Sequence, residues 1–145
     1  MSREPLRPRS AYPYFRPIPT RWADNDVYGH INNTVYYSWF DTAVNAYLIE
    51  AGAIDIHGGE VIGLVVETGC RYARPLAFPQ AIEAGVRVAR RGTSSVRYEI
   101  GLFASADPEP AAEGFFVHVY VDRATRRPAA LPSKLRQALE ALARA

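Results

Sequence analysis

The chain has 145 residues, of which 48% are hydrophobic and 22% charged. That length suits one domain, and that balance excludes a disordered chain or a fibre. The formal charge of +2 is too small to argue for nucleic acid as a partner.

No apolar run reaches the roughly 18–20 residues of a membrane span. The segment from Met1 to Ser10 is basic and lacks the apolar centre of a secretory signal. Cys70 is the single cysteine, so no intrachain disulfide can form, and a reducing, cytoplasmic setting is expected.

In chain order, residues 1–13 carry Pro5, Pro8 and Pro13 and read as a loose arm. Tyr14 to Trp22 reads as an extended segment, which Pro17 and Pro19 make an edge strand or a strand that begins late. Ala23 to Asn33 is dense in turn formers. Gly29 permits positive φ, and Asn32 or Asn33 can cap a helix. Tyr36, Phe40, Ala43, Val44, Tyr47, Leu48 and Ala51 then recur at spacings of three and four, which predicts a largely buried helix ended by Gly52. A loop around His57, Gly58 and Gly59 follows.

Val61 to Tyr72 is rich in β-branched residues and reads as a long strand. Gln80 to Arg91 alternates, with Ile82, Ala84, Val86 and Val88 on one face. Gly92-Thr93 turns it into a hairpin with Ser95 to Ala104. Ala112 to Asp122 is a further strand, with Phe115, Val117, Val119 and Val121 on one side. Pro132 opens a short helix carrying Leu135, Leu139 and Leu142. One long helix among hairpin-linked strands implies an α+β fold, an antiparallel sheet wrapped around a central helix.

The chemistry concentrates in Arg21 to Tyr36, RWADNDVYGHINNTVY. Carboxylates, a glycine, a histidine and amides stand just before a buried helix, whose free N–H groups favour developing negative charge. That layout suits attack on a carbonyl, with one acid or nucleophile and one oxyanion site. Asp24, Asp26 and Gly29 also match three positions of a calcium loop, but Val35 stands where its last acid belongs. A transition-metal site on Asp24, Asp26 and His30 lacks a second histidine, since His57 and His118 have no helpful spacing, so no metal is expected. Local turn and cap hydrogen bonds account for Asp24, Asn32 and Asn33 taken singly. Asp24 and Asp26 share a face if the chain is extended between them. His30 either donates a hydrogen bond or packs.

Taken together, D-x-D-x-x-G-H-x-N-N-x-x-Y, filled by Asp24, Asp26, Gly29, His30, Asn32, Asn33 and Tyr36, resembles the signature of the 4-hydroxybenzoyl-CoA thioesterase branch of the hotdog-fold superfamily. The segment GCRYARP from Gly69 to Pro75 and the Arg90-Arg91 pair extend the resemblance, which covers residues 14 to 122. It implies a hotdog domain of about five antiparallel strands around one helix, spanning 1–145, and hydrolysis of an acyl-CoA-like thioester without a cofactor. Asp26 would be the catalytic carboxylate, as nucleophile or general base. A backbone N–H near Asn33 would hold the thioester oxygen. Gly29, His30, Asn33 and Tyr36 would bind substrate, and Arg90 and Arg91 the CoA phosphates.

Family sites lie between subunits, so a homodimer or homotetramer is implied, with Glu67 and Thr68 walling the neighbouring site. Arg71, Arg74, Arg126 and Arg127 could also meet the CoA phosphates, since Arg matches phosphate geometry, and the bland alternative for all six arginines is a solvated strand end. Asp41 falls off the apolar stripe and reads as solvated. Tyr36, Tyr37 and Tyr47 read as core or pocket lining, and Cys70 as a small buried residue. No G-x-S-x-G elbow occurs, which removes a serine-triad hydrolase. A non-catalytic module that binds an acyl group or CoA is the competing function, and a hotdog dehydratase the third.

Overall fold

The structure, a computed structural model, describes residues 4–143. Strand β1 (Tyr14–Ile18) is followed by helix α1 (Asn33–Glu50), strands β2 (Val61–Tyr72), β3 (Ile82–Arg91), β4 (Ser95–Ala104) and β5 (Ala112–Asp122), and helix α2 (Ser133–Leu142). The strands form one antiparallel sheet in the order β1-β3-β4-β5-β2. This is the expected α+β architecture, with β1 at one edge and β2 at the other. Pro17 pairs with Glu83 on the outermost strand, where its missing N–H costs no ladder bond on the open side.

Helix α1 buries Tyr36, Trp39, Phe40, Ala43, Val44 and Leu48 against the sheet. Burying each large apolar side chain contributes about 1.5–3 kcal/mol. The stripe is wider than the sequence spacing indicates. Trp39 joins it, whereas Ala51 is exposed and forms the C-cap. Gly52 follows with φ of 68°, the left-handed conformation that stops the helix. α1 sits close to β5 because position 114 is glycine. A Cβ there would run into the Phe40 ring. α2 packs against β3 with Leu135, Leu139 and Leu142 buried, and Tyr47 Oη on α1 donates to Ala138 O at 2.7 Å.

One placement adds to the sequence reading and one differs from it. On β5 the expected alternation is present, and the side facing α1 is made of Ala112, Gly114, Phe116, His118 and Tyr120, opposite Phe115, Val117, Val119 and Val121. Both sides of β5 are apolar, so the pattern alone does not say which the helix covers. Second, the described part of the N-terminal segment is tied to the sheet. Arg7 bonds Glu113, Arg9 bonds Glu83, and Tyr12, 5% exposed, donates to Glu113 at 3.0 Å. Residues 1–3 of that arm lie outside the described residues. Among the described residues, no helix is long and apolar enough to cross a membrane.

Candidate active site

The turn between β1 and α1 is built by its own short polar side chains. Asp24, 1% exposed, closes a 3-10 turn. Its carboxylate accepts from Arg21 N at 2.8 Å, Arg21 Nε at 3.0 Å and Arg21 Nη2 at 2.8 Å. Its own carbonyl accepts from Asn32 N at 2.8 Å. Asp24 is therefore a structural residue, in line with the local reading of it. Asp24 is buried, whereas Asp26 is half-buried and lines a cleft.

Asp26 heads the next turn. Its N–H donates to His30 O at 2.8 Å, its carbonyl accepts from Gly29 N at 3.0 Å, and Gly29 takes a φ of 83°, which glycine adopts without strain. Asp26 Oδ1 accepts from Tyr28 N at 2.9 Å and more weakly from His30 N at 3.4 Å. Oδ2 accepts no hydrogen bond from the described residues. One carboxylate oxygen is pinned and the other is free.

The helix start shows the same division. Asn32 is the cap, accepting from Thr34 N at 3.0 Å. Ile31 N donates to Leu76 O at 2.8 Å, and Val35 N to Asn32 O at 2.9 Å. Among residues 31–35, that leaves the N–H of Asn33, the first helical residue, without an acceptor among the described residues.

The free oxygen's residue and the free N–H's residue line one cleft of about 540 Å³. Asp26, His30, Asn33 and Tyr36 form one side, and Tyr72, Ala73, Arg74 and Pro75 the other. Tyr72 Oη donates to Asn33 O at 3.2 Å, and its ring meets that of Tyr36 edge-on at 4.9 Å. Burial pushes the Tyr36 hydroxyl up to about 12, with Cys70 adding to it, and burial raises that of Tyr72 as well. Both phenols keep their protons at neutral pH. His30 is exposed at the cleft and does not pack in the core.

Other expected site residues stand elsewhere. Glu67 and Thr68 lie exposed on β2, beside a register shift, with Thr68 Oγ1 donating to Phe115 O at 2.8 Å. Neither lines the Asp26 cleft within one chain. Arg90 and Arg91 line a separate cleft against α2, where Arg91 meets Glu140 at 3.3 Å. The arginine at the Asp26 cleft is Arg74, which also contacts Asp107 at 3.3 Å. The sequence offers Arg74 only as one of six arginines that could meet CoA phosphates, and spacing alone does not single it out. Asp41 is exposed, as expected, and accepts from Asn45 Nδ2 at 2.9 Å. Cys70 is half-buried, with burial pushing its thiol up to about 11. Among the described residues no three His, Cys, Asp or Glu side chains converge as metal ligands.

An antiparallel sheet wrapped on one long helix defines a hotdog fold. The model of the thioesterase-like superfamily matches residues 20–139. The chain belongs to that superfamily, a family of thioester hydrolases. The PA5185 protein of Pseudomonas aeruginosa PAO1 is 60% identical, with 94% of this chain and 95% of that one covered and a TM-score of 0.92. A thioesterase from Thermus thermophilus, complexed with coenzyme A and Zn, is 32% identical over 91% of this chain and 95% of its own, with a TM-score of 0.74. The 1,4-dihydroxy-2-naphthoyl-CoA thioesterase Slr0204 of Synechocystis shares 13% identity over 87% and 94% of the two chains, with a TM-score of 0.79, a likeness of fold.

Proposed function

We propose that the protein is a cytoplasmic acyl-CoA thioesterase that hydrolyses an acyl or aroyl thioester to the free acid and CoA, with Asp26 as its catalytic carboxylate. The observation that carries this reading is the pairing of a free Asp26 Oδ2 with a free Asn33 N–H at one cleft. As general base, Oδ2 takes a proton from water while the water oxygen attacks the thioester carbon. The carbonyl oxygen becomes an oxyanion, accepts from Asn33 N–H, and collapses to expel the CoA thiolate, which recovers the proton. As nucleophile, the same oxygen forms a mixed anhydride that water then opens. Both routes begin at the same atom. Hydrolysis in ¹⁸O-water under single turnover tests for the anhydride, because label enters Asp26 only when an anhydride has formed and water attacks its Asp26 carbonyl.

CoA as the carrier is supported by the Thermus relative that holds coenzyme A. Gly29 shapes the Asp26 turn, and His30 and Tyr36 line the substrate's path. The working unit in this reading is a homo-oligomer. Among the described residues the outer edge of β2 is unpaired, with Leu64, Val65 and Val66 exposed at 38%, 48% and 60%. Such an edge is suited to pairing with a second copy. Glu67 and Thr68 would then wall the neighbour's cleft. Arg90 and Arg91 share no cleft with Asp26 in one chain, so they enter as CoA-phosphate ligands only when brought by another subunit.

The test is thiol release from a panel of acyl-CoA thioesters by the wild type and by Asp26→Asn. Turnover that falls at least about 100-fold in the variant is expected. Equal rates would overturn Asp26 as the catalytic group. Acyl-CoA binding without turnover by the wild type would make the protein a binding module instead.

A further inference from the structure

A second pocket, of about 190 Å³, opens between α1, the loop after it, β2 and the helix-facing side of β5. It shares no lining residue with the Asp26 cleft. Leu48, Ile54, Val61 and Val65 make its wall largely apolar. Asp41 and Asp55 stand exposed at its rim. His118 and Tyr120, 4% and 1% exposed, also line it.

The polar atoms of that buried pair are unevenly used. The Tyr120 hydroxyl is engaged with that of Tyr98 at 2.8 Å. His118 Nδ1 lies 3.5 Å from the same hydroxyl, long for a hydrogen bond, and His118 Nε2 is buried with no partner among the described residues. A buried polar group left unpaired is costly and is normally satisfied by protein, water or ligand. Burial also keeps the ring neutral, so it offers one donor and one acceptor and no charge.

These features select a ligand. A cavity of roughly 150 Å³ with apolar walls accepts benzene, so the volume here matches a single ring. Among the described residues no cationic side chain lines the pocket, and the two aspartates at its rim repel anions. A free carboxylate or phosphate is excluded on both counts. We propose that this pocket binds a small neutral ring-sized molecule bearing one hydroxyl or carbonyl group, and that the His118 imidazole hydrogen-bonds that group.

The experiment titrates the full-length ¹⁵N-labelled protein with phenol, toluene and benzoate. Phenol should bind and move the His118 imidazole ¹⁵N resonances, and benzoate should not bind there. In His118→Phe the ratio of phenol to toluene affinity should fall about fivefold, the worth of one net hydrogen bond. Phenol that leaves the His118 resonances unmoved, benzoate that binds as well as phenol, or a ratio unchanged in the variant would each overturn the proposal. If His118→Phe does not fold, the resonances of the wild type decide. Phenol binding should persist in Asp26→Asn, which separates this pocket from the hydrolytic reading.

Discussion

Lowering the pH from about 7.5 to about 5 should protonate His118 in the unfolded chain and leave it neutral in the folded one. Burial on the helix-facing side of β5 pushes its pKa from 6.5 down to about 4. Between those two values the unfolded state binds more protons, so acid favours unfolding. The contribution is intact above the unfolded pKa, is lost as the pH falls towards 4, and changes no further once both states are protonated. For this spacing the loss from His118 alone is about 2 kcal/mol over that range. His118→Phe removes the titrating group and keeps a ring in the site. The unfolding free energy of the variant relative to wild type should therefore rise by that amount between the two pH values. Urea unfolding at both pH values measures it, and the carboxylates common to both proteins cancel. A relative stability that does not move with pH would refute the buried neutral imidazole.

Gly114→Ala should lower the melting temperature sharply, because its Cβ would run into the Phe40 ring and lie 2.8 Å from Gly69 O. Overpacking of this kind costs about 1–3 kcal/mol or more, and an unchanged thermal melt would contradict the close approach of α1 to β5. Asn32→Ala removes the acceptor for Thr34 N and should cost about 1 kcal/mol in denaturant unfolding. Loss of activity in that variant well beyond its loss of stability would report a displaced Asn33 N–H. Val66→Lys places a charge on the open edge of β2, and sedimentation should show a smaller species than wild type. The same mass for both would place the subunit contact elsewhere.

Much of the local structure was legible from residue spacing. The three-four recurrence from Tyr36 to Leu48 located α1. The cluster from Asp24 to Asn33 located the turn, with Gly29 at positive φ and Asn32 as the cap. The hairpin at Gly92-Thr93 followed from its turn residues and flanking alternation. Pro5, Pro8 and Pro13 argued against regular structure in the N-terminal segment, yet a segment without a ladder of its own can still dock. Arg7 and Tyr12 do so through Glu113, a partner about a hundred residues away in the chain.

The two aspartates show where sequence ends. They are the same residue type two positions apart, and nothing local separates them. Folding buries Asp24 under Arg21 and leaves one oxygen of Asp26 free at the cleft. In the same way, the run of arginines carried no address. Arg74 reached the cleft, and Arg90 and Arg91 went to the α2 side. By itself the sequence determined the elements, their order, the turn and its cap, because these depend on neighbours within a few positions. Only the tertiary structure decided which face of β5 the helix covers, which carboxylate stays free and where His118 lies buried. Those outcomes depend on which distant surfaces exclude water from one another, and a period of two or of 3.6 names the residues that share a side without saying which side is covered.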